Sequence, residues 1–221
     1  MTEGIFEPNS PTLMNAGLNP GFAGEQLALV ATGVCTAIDH VEVIESADCR
    51  LVRNPAYLFG ALGFGADPQA IDPNRPEWGP TASLNAMYAE TLAAMAEQLG
   101  MTLERIDTEH RVFAATRELH FAAGSMPAGR ASHFNWRWRG IVGGRPRITM
   151  TIHWFLETAH LDDPRPPLWR IHVEGQPGVR MAVDLEKRAG DRTPTSAEQL
   201  AVAGAVINAI PVVCAAPPGL M

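Results

Sequence analysis

The fold of this chain is decided by residues 133–155, HFNWRWRGIVGGRPRITMTIHWF. Apolar and polar side chains alternate along both halves of this stretch, which is the pattern of half-buried β-strands. Gly143 and Gly144 lie between the halves and favour a tight hairpin turn, because glycine adopts the positive φ angles that such turns need. One face of the predicted hairpin carries Phe134, Trp136, Trp138, Ile148, Met150, Ile152 and Trp154. The other face carries His133, Asn135, Arg137, Arg139, Thr149, Thr151, His153 and Phe155.

The same alternating period extends over residues 103–185, with Gly or Pro turns between the segments, as in an antiparallel sheet. Strands near 169–174 and 179–185 would extend this sheet, and the sequence VEVIE at 41–45 predicts a further strand. Residues 63–80 are rich in proline and have few periodic apolar positions, so we expect a long irregular loop there.

Two helices are predicted before the hairpin. Asn19 as the cap and Pro20 as the first helical residue favour a helix over about 20–37. A second helix carries one apolar stripe and ends at Gly100. The predicted apolar positions are Leu27, Val30, Val34 and Ile38 in the first helix, and Leu84, Met87, Tyr88, Thr91, Leu92, Met95 and Leu99 in the second.

A third helix is predicted near the end of the chain. Thr195 and Glu198 have the spacing of a capping box, in which each side chain accepts a hydrogen bond from the other's backbone amide. Small residues, among them Ala201 and Gly204, would let another backbone approach this helix closely. Pro211 and Pro217–Pro218 are expected to end it.

These elements predict an α+β fold, in which an antiparallel or mixed sheet has two or three helices packed on one face. Residues 1–14 hold Pro8 and Pro11 and are expected to form an N-terminal arm that ends in a strand-like stub at Thr12–Met14. Residues 15–221 are expected to form one domain.

Composition and charge indicate which binding partners and which cellular compartment to expect. The net charge is −7 and the positive residues are scattered along the 221-residue chain, so nucleic acid is not an expected partner. The chain has no recognisable signal peptide and no stretch of about 18 continuous apolar residues, which argues against a membrane. The three cysteines Cys35, Cys49 and Cys214 have no paired spacing, which favours a reducing, cytoplasmic location.

Motifs for cofactors and catalysis are absent from the sequence. No GxGxxG dinucleotide motif occurs, and the nearest cluster, Gly60, Gly63 and Gly65, has the wrong spacing. The histidines and cysteines lack the paired spacing of a metal site, and no GxSxG elbow occurs. His153 is a candidate general base because histidine titrates near neutrality, although a lone strand histidine is more often structural.

Asn19 has two interpretations. As a helix cap it needs no further role. Alternatively, the helix N-terminus that it helps to build has free amides that could receive a carboxylate or an amide of a ligand.

Four segments carry a resemblance to a known family. They are Gly17–Phe22 (GLNPGF), Leu62–Gly65 (LGFG), Gly140–Pro146 (GIVGGRP) and Asn208–Leu220 (NAIPVVCAAPPGL). Together and in this order they resemble the C-terminal domain of 2,4-diaminopentanoate dehydrogenase and its dihydrodipicolinate reductase-like relatives, which include NAD(P)H-dependent amine dehydrogenases. The resemblance spans residues from about 12 to 221.

The resemblance implies a two-domain oxidoreductase whose Rossmann domain binds NAD(P)H, while the C-terminal domain shapes an amine or ketone pocket and forms much of a homodimer contact. Carried over by residue, the segment Asn19, Pro20, Gly21 and Phe22 would bind substrate at the domain junction. Asn208, Ile210 and Pro211 would lie on a last helix that binds cofactor or docks the nucleotide domain. The chain lacks the Rossmann half and the acidic residue that the family places there.

The leading hypothesis is therefore the substrate-binding and dimerisation half of an amine dehydrogenase or imine reductase, with no cofactor or metal bound by this chain alone and a separate Rossmann-domain protein as partner. One alternative is a stand-alone protein that reuses the pocket for cofactor-free ligand binding or proton transfer, because residues 1–14 have the composition of a finished N-terminus. A purely structural dimer module is the third hypothesis.

Overall fold

The computed structural model describes residues 11–14 and 16–220. They belong to two compact units, one formed by the chain up to Leu27 together with Leu185 onward, and the other by Ala28–Asp184. The second unit lies within the predicted domain 15–221, whereas the first unit also takes in the end of the predicted arm 1–14. The first ten residues of the predicted arm 1–14 lie outside the described residues, and its end contributes a short strand.

The strands are β1 (Thr12–Leu13), β2 (Ala37–Asp48), β3 (Arg105–Thr108), β4 (Arg111–Ala114), β5 (Leu119–Phe121), β6 (Gly124–Met126), β7 (Ala131–Val142), β8 (Arg145–Phe155), β9 (Trp169–Gln176), β10 (Val179–Val183) and β11 (Gly219–Leu220). The α-helices are α1 (Ala28–Thr32), α2 (Thr81–Gln98) and α3 (Ala197–Ala215). π-Helical turns, with hydrogen bonds between residues five apart, occupy Leu18–Leu27 and Ala56–Ala61, and a 3₁₀ turn occupies Cys49–Leu51.

The second unit is built on a sheet with the strand order β10-β9-β2-β8-β7-β3, in which β4 also pairs with β7. The predicted hairpin is β7 and β8, which pair antiparallel. Gly143 and Gly144 form its turn with φ angles of +60° and +70°, and their amides donate to the Glu104 carboxylate at 2.7 and 3.2 Å. The hairpin prediction is therefore confirmed.

The sheet is mixed because β2 pairs antiparallel with β9 but parallel with β8. This parallel pair places the predicted strand 41–45 at the centre of the sheet. The predicted strands near 169–174 and 179–185 are β9 and β10. The predicted loop 63–80 contains no helix or strand, since α2 begins at Thr81.

The core of the sheet unit lies under α2, which contacts β7 and β8. Tyr88 stacks on Trp138 with ring centroids 4.3 Å apart, and Leu92 and Met95 are fully buried. Trp136 is fully buried between further aromatic rings. The apolar stripe predicted for this helix therefore faces the core, although two of its members, Met87 and Leu99, are only half-buried.

The first helix differs from its prediction. Asn19, Pro20 and Gly21 have non-helical backbone angles, so Asn19 is not a simple cap and Pro20 is not the first helical residue. The φ angle of +120° at Gly21 turns the chain, and its amide donates to the Glu25 carboxylate at 2.5 Å. Helical structure ends at Thr32, short of the predicted residue 37, and β2 begins at Ala37.

The apolar stripe predicted for the first helix is also wrong in its middle. Val30 and Val34 are exposed, whereas Ala28, Ala31 and Thr32 are buried. Helix α1 contacts β2 and β9, and small side chains permit that close approach.

The last helix, α3, begins one residue later than predicted and runs further. Ser196 and Gln199 form the capping box, because Ser-x-x-Gln fits the same motif as Thr195-x-x-Glu198. Pro211 lies inside the helix and does not end it. A proline leaves the carbonyl four residues earlier without its amide donor, but this helix has no buried residue, so water can satisfy that carbonyl.

Helix α3 is unusually apolar for an exposed element. Its mean hydropathy is 1.6 over 18 residues, so by length and composition alone it could cross a membrane. The sequence contains no unbroken apolar run of that length because Asn208 and Pro211 interrupt it. Its half-buried positions Ala201 and Gly204 lie on one side, and α3 contacts Leu18–Leu27 within its own unit.

Candidate functional site

The candidate site is the polar face of the sheet, opposite the aromatic residues under α2. Alternation along β7 and β8 and their pairing register bring the polar side chains side by side. Asn135 lies opposite His153, and Arg137 lies opposite Thr151. Strand β2 pairs with β8 in a register that places Glu42 beside Thr149, so the polar positions of β2 extend the same face.

Two histidines of this face form a direct pair. Nε2 of His133 lies 2.9 Å from Nδ1 of His153. The His133 side chain is completely buried, whereas His153 is half-buried. A hydrogen bond between two imidazoles needs one protonated and one unprotonated nitrogen, so the pair fixes the tautomer of both rings.

The surroundings select which ring donates. Among the described residues, Nδ1 of His133 is buried and has no hydrogen-bond partner. A proton on that atom would be a buried unsatisfied donor, which costs about 1–3 kcal/mol. The Asn135 amide nitrogen also faces Nδ1 of His153, at 3.5 Å. We infer that Nε2–H of His133 donates to Nδ1 of His153, which leaves the proton of His153 on Nε2.

Both rings are uncharged at neutral pH. Burial first, and then the nearby His153 and His160, lower the pKa of His133 to about 3. Burial, followed by the charge of Arg137, lowers the pKa of His153 to about 4, while Asp162 acts in the opposite direction. His153 is therefore a neutral ring, and a pKa of about 4 makes it a weak base; its role as a general base stays a prediction.

Three arginines surround one carboxylate, and one of them, Arg137, acts on His153. Oε1 of Glu109, between β3 and β4, forms an ion pair with Arg111, while Oε2 forms an ion pair with Arg139 and lies 3.9 Å from Arg137. Nε of Arg137 also donates to the Thr151 hydroxyl at 3.2 Å. Three guanidinium groups thus share one carboxylate, and the cluster retains an excess of positive charge.

A second polar network supports the same edge of the sheet. The buried Glu157 carboxylate accepts from the Thr116 amide at 2.8 Å, from the Thr116 hydroxyl at 2.7 Å and from the Ser132 hydroxyl at 3.3 Å. Burial raises the pKa of Glu157, but these hydrogen bonds outweigh it and the net direction is downward. The ionised Glu157 therefore anchors the loop after β8, which carries His160.

Next to Arg137 the polar face contains an open depression of about 560 Å³. It is lined by Asp39, His40, Glu42, Arg137, Arg139, Arg145, Pro146, Arg147, Thr149 and Glu174. Charged groups of both signs dominate this lining. Sequence reasoning singles out only His153 from this face, although the alternating pattern already places His133, Asn135 and Arg137 beside it.

The predicted substrate segment lies in the other unit. The Phe22 amide donates to the Gly17 carbonyl at 3.0 Å, which closes the turn containing Asn19, Pro20 and Gly21. Burial raises the pKa of the neighbouring Glu25 carboxyl, against hydrogen bonds that lower it. Asn208, Ile210 and Pro211 lie on α3, and all three are exposed.

The glycines nearest to a phosphate-binding pattern pack against aromatic side chains. A Cβ on Gly63 would lie 2.9 Å from the Trp78 ring, and one on Gly65 would lie 3.2 Å from the Phe59 ring. Gly60 lies in the helical turn Ala56–Ala61. Gly63 and Gly65 therefore make room for aromatic rings, and they do not fit the cradle of a dinucleotide pyrophosphate. Within residues 11–14 and 16–220, no cluster of three or more His, Cys, Asp or Glu side chains is placed to hold a metal ion.

Comparison with known proteins gives two informative similarities. An amine dehydrogenase from Streptomyces virginiae is 25% identical to this chain over 223 residues, which cover 95% of this chain and 58% of the relative. The solved structure of an amine dehydrogenase from Mycobacterium smegmatis is 19% identical and superposes with a TM-score of 0.71, over 95% of this chain and 57% of the other. No protein-family model matches the chain.

The chain is thus similar to an amine dehydrogenase in sequence and shares the fold of another. This confirms the predicted mixed α+β fold class and the amine dehydrogenase part of the resemblance. The chain spans little more than half the length of both proteins.

Proposed function

We propose that this chain is the substrate-binding and dimerisation half of an NAD(P)H-dependent amine dehydrogenase or imine reductase, resembling the C-terminal domain of 2,4-diaminopentanoate dehydrogenase. The observation that carries the proposal is the extent of the similarity, which takes in 95% of this chain but only 58% of the Streptomyces protein. The nucleotide-binding domain would come from a second protein or from another part of a longer chain.

The need for that domain follows from the chemistry of hydride transfer. The nicotinamide must be held in van der Waals contact with the reacting carbon, and this requires a site for the dinucleotide. Gly63 and Gly65 face Trp78 and Phe59 and do not provide one. We therefore assign no step of hydride transfer to the described residues.

In this proposal the first unit makes the contacts with substrate and nucleotide domain. The turn Asn19–Phe22 would contact the amine or ketone, and α3 would dock the nucleotide domain through Asn208, Ile210 and Pro211. Ile207 and Ile210 are among the large apolar side chains that α3 exposes. Exposed apolar surface of this kind is a common mark of an interface, which supports the docking role.

A homodimer in the cytoplasm, with no membrane or nucleic-acid partner, completes the proposal. All three cysteines are free thiols, which suits a reducing compartment. The scattered positive residues and the net charge of −7 offer no concentrated basic face to a polyanion.

Cofactor binding tests the proposal directly. We expect this chain alone to show no saturable binding of NADH or NADPH by calorimetry up to about 1 mM, the upper end of ordinary KM values. Fusion to the portion of the Streptomyces relative that this chain does not cover should restore binding and cofactor-dependent reductive amination of a ketone. Stoichiometric NAD(P)H binding by the chain alone would contradict the proposal.

The docking role of α3 gives a second expected result. Ile210→Asp places a charge on a side chain that is 55% exposed, so the unit should remain folded. Desolvating that charge at the interface should weaken association with the separately expressed nucleotide-binding portion by at least about tenfold. Val30→Asp, at an exposed valine of the other unit, is the matched control and should leave the affinity unchanged.

The same variants separate docking from membrane attachment. The wild-type chain should stay in the supernatant when phosphatidylcholine vesicles are sedimented. Sedimentation that Ile210→Asp abolishes would mean that α3 serves a lipid surface and would contradict the docking role.

A further inference from the structure

The His133–His153 pair leaves one polar atom available to a ligand, Nε2 of His153. Nδ1 of the same ring faces His133 and Asn135, whereas Nε2 makes no hydrogen bond within the described part of the chain and is not sealed from solvent. Because Nδ1 accepts, Nε2 carries the proton. The ring therefore presents an N–H donor of fixed identity on the polar face of the sheet.

Arg137 supplies a charged hydrogen-bond donor near the His153 ring. Arg137 stands diagonally across the β7–β8 pair from His153, and such neighbours are about 7–8 Å apart at the backbone, within reach of long side chains. Glu109 is shared among Arg111, Arg137 and Arg139, so Arg137 is only partly neutralised. Arg137 lines the open depression, and its charge acts on the neighbouring His153 ring.

We propose that His153 Nε2–H and the Arg137 guanidinium bind the carboxylate of a small monoanionic ligand, with His133 as the positioning residue that fixes the His153 donor. A carboxylate has two oxygens that can accept from the two donors at once, and hydrogen bonds from a charged donor are among the strongest in proteins. The rest of the ligand lies in the depression of about 560 Å³.

The nearby acids set the charge of the ligand. Asp162 acts on His153, and Asp39, Glu42 and Glu174 line the depression. These carboxylates repel a dianion more than a monoanion, which favours a monocarboxylate over a phosphate ester. The site lies wholly within the sheet unit and involves no cofactor, so it does not rest on the proposed redox function.

Imidazole ¹⁵N NMR of the full chain, with butyrate as the probe and 1-butanol as the uncharged control, tests the proposal. We expect saturable shifts of the His153 Nε2–H and Arg137 Nε–H signals with butyrate and none with butanol. His153→Phe should weaken butyrate binding by at least about tenfold, while His153→Gln, which keeps a donor, should remain within about threefold of wild type. His120→Phe, at an exposed histidine of β5 outside this sheet, is the matched control and should bind as wild type does.

The positioning role of His133 has its own readout. In His133→Phe the ¹⁵N signals of His153 should show a mixture of tautomers, and His133→Gln, which retains an N–H donor, should restore the single form. Butyrate binding should weaken in the first variant and recover in the second. The proposal is overturned if butyrate gives no saturable shift, if His153→Phe binds equally well, or if His153 is protonated on Nδ1 in the wild type.

Discussion

As the pH falls from 6.5 towards 5, the free energy of unfolding should drop by about 1.4 kcal/mol per pH unit for each buried histidine. His110 and His133 are both buried, and burial lowers their pKa values to about 4 and about 3. His153, with a pKa near 4, adds to the slope. Natural domains are stable by only about 5–15 kcal/mol, so this loss is large.

The direction of this change in the free energy of unfolding follows from the number of protons that each state binds. In the unfolded chain a histidine takes up its proton near its ordinary pKa of 6.5, whereas in the fold these rings stay neutral down to about pH 4. The unfolded state therefore binds more protons in this window, and stability that is fully present above pH 6.5 is lost on acidification. Glu25 acts in the opposite direction, because burial raises the pKa of its carboxyl and the fold holds that proton more tightly.

Urea unfolding at half-unit steps from pH 7.5 to 5 measures this slope. The window lies above the range in which Glu157, Asp72, Asp163 and Asp191 titrate, since the pKa values of all four are lowered in the fold. His120→Ala removes a histidine whose side chain is 76% exposed, and this control should leave the slope unchanged. A flat profile from pH 7 to 5 would mean that the buried histidines are already charged in the fold.

Asn85→Leu should destabilise the protein by about 2–6 kcal/mol, because it leaves two buried donors without an acceptor, each at about 1–3 kcal/mol. The Asn85 side-chain oxygen accepts from the Trp138 indole at 2.8 Å and lies 3.0 Å from Nε2 of His110. Nδ1 of His110 accepts from the Arg137 amide at 3.2 Å, so the His110 proton is on Nε2. The better helix propensity of leucine offsets only a few tenths of a kcal/mol.

Two further variants make this result specific. Ala86→Leu adds the same side chain at an exposed position of α2 and should change stability by no more than about 0.5 kcal/mol. Asn85→Asp keeps the acceptor and places a negative charge beside His110, which should raise the pKa of His110 and flatten its share of the acid slope. Urea unfolding of Asn85→Leu with wild-type stability would show that water replaces the lost acceptor.

Local pattern predicted most of the sheet. The alternation along 133–155 and the Gly143–Gly144 turn identify β7 and β8, because strand alternation and turn formation depend on residues close together in the sequence. Errors occur where two local signals compete. Thr195–Glu198 and Ser196–Gln199 fit one capping motif equally well, and only tertiary context selects the second pair.

The arrangement of the site required information that no single segment contains. His153 is recognisable as a polar strand residue, but its pairing with His133 depends on the register of β7 against β8. The parallel pairing of β2 with β8 joins distant segments without a local signature. The Asn19–Pro20 pair predicts a helix start, but asparagine and proline also favour turns, and the positive φ of Gly21 shows that the chain turns here.

The position of β2 has a consequence for synthesis of the protein. Both neighbours of this strand come much later in the chain, β8 beginning at Arg145 and β9 at Trp169. A ribosome must therefore release most of the polypeptide before β2 can form hydrogen bonds along either edge. Such non-local pairing is slow, and until it is complete the unpaired edges of this half-apolar strand favour association with other nascent chains.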